Sequence, residues 1–329
     1  MSKSKETGEI NEDINLFEIF QKFSDEDNAR EFVEKLRWPD GPICPHCGAT
    51  EPYRLTPKPD SKRPARKGLF KCRECRKQFT VTVNTIFADS HIPLSKWVIA
   101  IHLICASKKG MSAHQIHRML GITYKSAWFM MHRIRYAMTQ EPLVSKLDGT
   151  VEADETYIGG KAKNMHKKER EEKIKGRGAV GKTPVFTLVE RGGRVQSTML
   201  DRVTQDNLKE VMEQYVNKTA NVMTDEAVSY KGIGPLFASH ESVNHSADEY
   251  VRGDIHINTA ESVHSLLKRG VFGIYHHWSV KHLPRYLAEF DFRFSNRKVK
   301  DGTRAARAVQ GAEGKRLMYR EPVGKITGQ

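Results

Sequence analysis

Residues 150–160 read TVEADETYIGG. The run has the composition of a strand that delivers acids, and the glycine pair ends it. Downstream, PVFTLVERGGRVQSTML (184–200) reads as two strands joined at Gly192-Gly193, the residue pair of a tight hairpin. TQDNLKEVMEQYV (204–216) has the pattern of a capped amphipathic helix, and ANVMTDEA (220–227) is a short apolar strand again ending in acid. HESVNH (240–245) reads as a further edge strand, and NTAESVHSLLKRG (258–270) starts a helix that Asn258 or Thr259 would cap. Three strands, helix, strand, helix, strand, helix is the order of an α/β domain, expected over 144–300. An RNase H-like (retroviral-integrase-like) sheet has this order, with carboxylates of its first and fourth strands meeting a late helix.

Asp154, Asp225 and Glu261 are the acids this order would bring together. Taken singly, each is an ordinary surface group. Thirty-five residues separate Asp225 from Glu261, and six more lead to Lys268, so Glu261 and Lys268 fall two turns apart on one helix face. A carboxylate and a lysine so placed can hold a metal ion and a neighbouring phosphate. Glu155 and Glu226, next to the two aspartates, point elsewhere if the strands continue. Hard oxygen ligands suit two Mg²⁺ or Mn²⁺ ions, which promote in-line displacement at a phosphodiester.

Upstream lie two Cys-x-x-Cys pairs, Cys44/Cys47 and Cys72/Cys75, with 24 residues between them. Four thiolates can close a tetrahedron around one structural Zn²⁺, whereas a redox dithiol needs one pair. A zinc ribbon is therefore expected over 38–92, behind a helical segment over 1–37. The Lys-, Arg- and Pro-rich stretch between the knuckles is a basic loop able to follow phosphates, or a solvated flap. After it, QFTVTVNTIF (78–87) alternates as a strand does, and Pro93 opens the helical LSKWVIAIHLICASKK. Cys105, within IHLICA, reads as a buried, inert thiol.

Residues 111–138 place Ser112 as a cap, Ile116 and Leu120 on an apolar face, Gly121 in a turn and Thr123 as a second cap. This is the pattern of an all-α helix-turn-helix, expected over 93–143, or of a plain helical hairpin. In its second helix Tyr124, Lys125, His132, Arg133 and Arg135 supply polar groups for DNA. Residues 301–329 read as a basic C-terminal tail. Residues 161–182 carry nine Lys or Arg against three Glu; with Lys161, Lys268 and Arg269 they read as phosphate contacts, or as a solvated insertion.

Lys and Arg number 54 against 40 Asp and Glu, a formal charge of +14, which favours a polyanionic partner. The polar N-terminus lacks a signal-peptide core, and the longest apolar run, Trp97–Ala106, is too short to span a bilayer. A cytoplasmic, nucleoid-associated protein is expected.

The runs RWPDGPICPHCG, TVTVNTIFADSHIPLSKW, SKKGMSAHQIHRMLGITYKSAWFMMHRIR, VEADETYIGGK and HINTAESVHSLLKRGVFGIYHHWSVKHLPRYLAEFDFRFSNR together resemble the zinc-ribbon insertion-sequence transposases of the fifteen-ninety-five family. The resemblance covers nearly the whole chain. It implies a DDE-type transposase that binds double-stranded DNA at the inverted repeats of a mobile element and at the target, cutting and rejoining strands as a homodimer or larger assembly. It also implies that Asn258, in place of Glu261, is a candidate for the third acidic-site role. His264 stands where the resemblance implies an aromatic residue, most often tryptophan. Two other readings are a non-catalytic, domesticated DNA-binding regulator and an RNase H-like nuclease that cuts without joining.

Overall fold

The computed structural model describes residues 16–56, 66–139, 145–160, 166–173 and 179–319. The chain divides into two units, one made of residues 1–138 and 299–329 and the other of residues 139–298.

The first unit opens with helices α1 (Leu16–Phe23) and α2 (Glu26–Arg37). A ribbon of three two-residue antiparallel strands follows, β1 (Tyr53–Arg54), β2 (Phe70–Lys71) and β3 (Gln78–Phe79), with Phe70 opposite Phe79. So small a sheet buries little, and its apolar filling is aromatic: Phe70 stacks on Phe79 at 5.6 Å, with the edge of Trp38 5.5 Å from Phe70. The strand expected over QFTVTVNTIF stops at Phe79. Residues beyond it turn, Val83 N–H bonding Thr80 O, and Asn84 adopts a left-handed φ of 57°. The Arg37 guanidinium takes the carbonyls of Val81 and Val83 at 2.7 and 2.8 Å, removing them from any ladder.

Helix α3 (Leu94–Ala106) is buried along most of its length, Cys105 included. It begins after Pro93 without a side-chain cap of its own; Glu26 of α2 instead accepts from Leu94 and Ser95 N–H at 2.7 and 2.9 Å. Helices α4 (Ala113–Leu120) and α5 (Tyr124–Ala137) then pack as a pair. Ser112 and Thr123 cap them by accepting from Gln115 and Ser126 N–H, and Gly121 ends α4 at φ 58°.

In the second unit, β4 (Thr150–Ile158), helix α6 (Lys167–Lys173), β5 (Thr183–Glu190), β6 (Val195–Met199), helix α7 (Gln205–Tyr215), β7 (Asn221–Thr224) and β8 (Ser239–Ser242) are followed by helices α8 (Asn258–Gly270) and α9 (Leu283–Ser295). The five strands form one sheet ordered β6-β5-β4-β7-β8, antiparallel on the β5 side and parallel from β4 through β7 to β8. Alternation splits β4 between two cores. Val151 and Ala153 join Phe186, Leu188, Leu208 and Met212 on one face. On the other, Ile158, Val185 and Val189 meet Ala260, Val263 and Leu267 of α8 and Leu287 and Phe290 of α9. The helix expected between β7 and β8 is two short 3₁₀ turns, Val228–Tyr230 and Gly234–Leu236, in a segment whose Gly232, Gly234 and Pro235 disfavour an α-helix.

Residues 301–329, read from the sequence as a tail, begin instead with helix α10 (Asp301–Gln310). Its Gly302, Ala305, Ala306, Ala308 and Val309 are buried, and small side chains allow its close approach to α3 and α2. Among the described residues no helix is long and apolar enough to cross a membrane.

Asp291 of α9 is wholly buried against β6, where its carboxylate accepts from Ser197 N–H and Ser197 Oγ, both at 2.7 Å. Burial pushes its pKa up from 3.8 to about 7 despite these bonds. The folded state therefore favours the protonated acid. Stability is greatest below the unfolded pKa, falls as pH rises through the interval to about 7, and stays low above it. Asp291→Asn is expected to remove this dependence and to stabilise the protein at pH 8 by about 1 to 4 kcal/mol. Denaturation at pH 5 and pH 8 checks it; equal or lower stability of the variant at pH 8 contradicts it.

Candidate active site

The four cysteine sulfurs lie within 4.8 Å of one another, and they form the only such group of three or more His, Cys, Asp or Glu ligand atoms among the described residues. Cys44 and Cys75 Sγ are 3.7 Å apart, Cys47 and Cys72 Sγ 3.6 Å. A tetrahedral zinc with Zn–S bonds of about 2.3 Å has S···S edges of about 3.8 Å, so the sulfurs stand as a Cys₄ site requires. All four positions would be filled by protein, which makes the ion structural. One zinc per chain is the expected content of purified protein. Stripping it with a chelator should melt the ribbon, seen as loss of dispersed amide NMR signals from residues 38–79, and full dispersion without metal would contradict the assignment.

In the second unit the register brings two of the expected acids together. Glu152 pairs with Met223 across the parallel strands β4 and β7, so Asp154 and Asp225 each stand two residues beyond this pair. Both are half-buried. Burial pushes Asp225 above its ordinary carboxylate value; an Ala227 N–H bond at 3.0 Å opposes this, and the charges of Asp154 and Glu226 add to it. Glu155 is pushed up to about 6, chiefly by burial, with Asp225 and Asp154 contributing. It turns to the opposite face of β4 and accepts from Tyr230 Oη. Glu226 lies at the surface, fixed by Ser246 and the N–H of His245. A half-buried patch of like charge with oxygen donors suits a hard divalent cation.

Helix α8 carries the remaining expected residues. Asn258, Glu261 and Lys268 are all exposed, as is Arg269, whose Nε bonds back to Ser265 O at 3.2 Å. Asp154, Asp225 and Glu261 do not all lie within 4.8 Å of one another. Lys268 lines a cavity of about 410 Å³ with Glu155, Tyr157, Lys182 and Phe272. Lys161 lies outside the described residues.

Two residues that sequence reasoning did not use organise this region. The cap of α8 is neither Asn258 nor Thr259: the helix starts at Asn258 after Ile257, with no side-chain cap of its own. Glu152 of β4, fully buried, accepts from Thr259 N–H at 2.7 Å, Ala260 N–H at 3.0 Å and Thr259 Oγ1 at 2.9 Å. Its negative charge meets the positive end of the helix dipole and is paired with Arg191 Nε at 2.6 Å. Arg191 also donates to the carbonyls of Asp254 and His256, tying down the approach to the helix. Alternation along VEADE puts Glu152 on the same strand face as Asp154, a signal that could have flagged it. The other residue is His264, whose Nδ1 is 3.1 Å from Asp154 Oδ2.

In the first unit three residues expected at DNA are corrected. His132, Arg133 and Arg135 of α5 are buried. Arg133 sits between the rings of Trp97 and Phe129, donates to Ala88 O at 2.5 Å, and is pushed down to about 10 by burial. Their helical position turns them into the core, where they cannot reach a phosphate. Lys125 is exposed as expected, beside Tyr124, which stacks on His114 at 4.3 Å, and Arg118 is exposed on α4.

Comparison with known proteins agrees with this architecture. A family model described as the ISXO2-like transposase domain matches residues 146–295, and one described as a transposase zinc-ribbon domain matches residues 24–78. The chain is 28% identical over 279 residues to an uncharacterized protein in transposable element ISH50 of Halobacterium salinarum, across 82% of this chain and 91% of that protein. The matches to a transposase domain and a transposase zinc ribbon, together covering most of the chain, mark an insertion-sequence transposase. The chain belongs to the zinc-ribbon transposases of the fifteen-ninety-five family.

Proposed function

We propose that the chain binds the inverted-repeat ends of its element and catalyses divalent-metal-dependent strand cleavage followed by strand transfer into target DNA. The observation that supports this reading is that Asp154 of β4 and Asp225, the residue just after β7, each stand two residues beyond the Glu152–Met223 pair of these parallel strands, with α8 packed against β4. The β6-β5-β4-β7-β8 order supports an RNase H-like catalytic domain over 144–300. Asp154 and Asp225 would hold Mg²⁺ or Mn²⁺, with Glu261 or Asn258 of α8 as the third ligand. An anionic oxygen is the better partner for a hard cation, which favours Glu261. When bound, such ions supply Lewis acidity for phosphodiester hydrolysis and transesterification.

The chain's own residues do the rest. Lys268, two turns beyond Glu261 on the exposed face of α8, neutralises a phosphate of the strand being cut, and Arg269 follows the backbone beyond it. Lys161 would extend this path. In the first unit, the capped α4–α5 pair serves as a helix-turn-helix whose exposed Lys125, with Tyr124, Arg118 and His114, meets the repeat. Joining two element ends calls for at least two active sites, hence a homodimer or larger assembly on DNA.

A precut element end with a free 3′-hydroxyl, a target plasmid and Mg²⁺ or Mn²⁺ test the reading. Covalently joined product supports a transposase. Nicking of an uncut end without joining would mean a nuclease, and binding with neither would mean a regulator.

A further inference from the structure

We propose that His264 is a positioning residue that fixes the Asp154 carboxylate in the orientation from which it grips a divalent cation, a role that rests on the metal-dependent reading above. Apart from Gly270 at its last position, residues 260, 263, 264 and 267 form the buried face of α8. Three of them, Ala260, Val263 and Leu267, pack among apolar side chains of the sheet. The fourth is an imidazole, 4% exposed, in a row where an aliphatic group would satisfy packing. Its Nδ1 meets Asp154 Oδ2 at 3.1 Å, and its Nε2 has no hydrogen-bond partner among the described residues.

The meeting follows from the register that Glu152 imposes. Glu152 holds the N–H groups of Thr259 and Ala260, which pins that turn of α8 beside residue 152 of β4. One helical turn, from Ala260 to His264, advances about 6 Å. Two strand residues, from Glu152 to Asp154, advance about 6.6 Å. The equal steps deliver the imidazole to the aspartate. Asp154 Oδ1 meanwhile accepts from Glu155 N–H at 2.8 Å, so one carboxylate oxygen is hydrogen-bonded while the other lies against the His264 ring nitrogen, which limits rotation about the last side-chain bond. The remaining lone pairs keep a fixed direction. The tautomer with its proton on Nδ1 is the one these surroundings accept, because that proton faces Asp154 Oδ2 whereas an Nε2–H would be buried without an acceptor.

The test is a Mn²⁺ titration of the full-length, zinc-loaded protein, followed by the electron paramagnetic resonance signal of free Mn²⁺. His264→Phe keeps the ring volume without a donor; His264→Asn offers an amide nitrogen near the Nδ1 position. His264→Phe is expected to weaken Mn²⁺ binding roughly ten- to a hundredfold, with most of the loss recovered in His264→Asn. Unchanged affinity in His264→Phe, or equal losses in both variants, overturns the assignment. A wild-type protein that takes up no Mn²⁺ overturns the metal-dependent reading and this role with it. Independently of any variant, ¹⁵N NMR of the wild-type ring should show the Nδ1–H tautomer, and an Nε2–H tautomer would overturn the proposal.

Discussion

Asp154→Asn and Asp225→Asn are each expected to lower strand cleavage by about a thousandfold or more while leaving affinity for the element end within a few-fold of the parent. Both substitutions keep side-chain volume. Each replaces an anionic oxygen by a neutral amide in a region where burial, with the charge of Asp154 added, raises Asp225. The loss thus falls on cation binding and on the charge developed during displacement. DNA binding is expected to rest on other surfaces, the exposed α4–α5 residues and the lysine and arginine of α8, so it should survive. Single-turnover cleavage of a labelled end, alongside a gel-shift titration, separates the two quantities. Cleavage retained within tenfold in either variant removes that residue from the site.

The second large effect is expected at a residue that touches no DNA. Glu152→Ala should cost about 3–5 kcal/mol of stability, because it leaves Arg191 without its buried partner and two N–H groups of α8 without their acceptor. Glu152→Gln keeps the volume and one acceptor oxygen but presents an amide NH₂ to the Arg191 donors, and an intermediate loss should follow. In both variants cleavage should fall further than stability at the assay temperature explains, since the register of α8 against β4 depends on this cap. Urea denaturation combined with cleavage rates measures both. A Glu152→Ala protein within about 1 kcal/mol of the parent would mean that other contacts fix the helix.

What could be read from the chain alone was local. The strand over 150–158, the Gly192-Gly193 hairpin, and the Ser112 and Thr123 caps depend on neighbours within a few residues, and side-chain alternation or a hydroxyl before a helix reveals them. The cap of α8 was hidden because its acceptor, Glu152, is 107 residues away in sequence from Thr259. Glu26 caps α3 across 68 residues, the same device by the same kind of side chain. Charge misled in α5: His132, Arg133 and Arg135 have the composition of a solvated face, yet Arg133 lies between Trp97 and Phe129, a contact formed only once α3 and α5 are packed. The alternation of QFTVTVNTIF was equally deceptive, because Arg37 occupies carbonyls that a ladder would need. The strands next to the expected acids were legible, with Asp154 in the middle of β4 and Asp225 just after β7, whereas the neighbour of His264 could be seen only in the fold.

Anomalous diffraction from crystals soaked in Mn²⁺ probes the acidic site most directly. A peak within coordination distance of both Asp154 and Asp225, with Glu261 or Asn258 as the third protein ligand, is the expected result. Mn²⁺ density absent from between the two aspartates at saturating concentration, in crystals that still hold zinc at the four cysteines, would contradict the account.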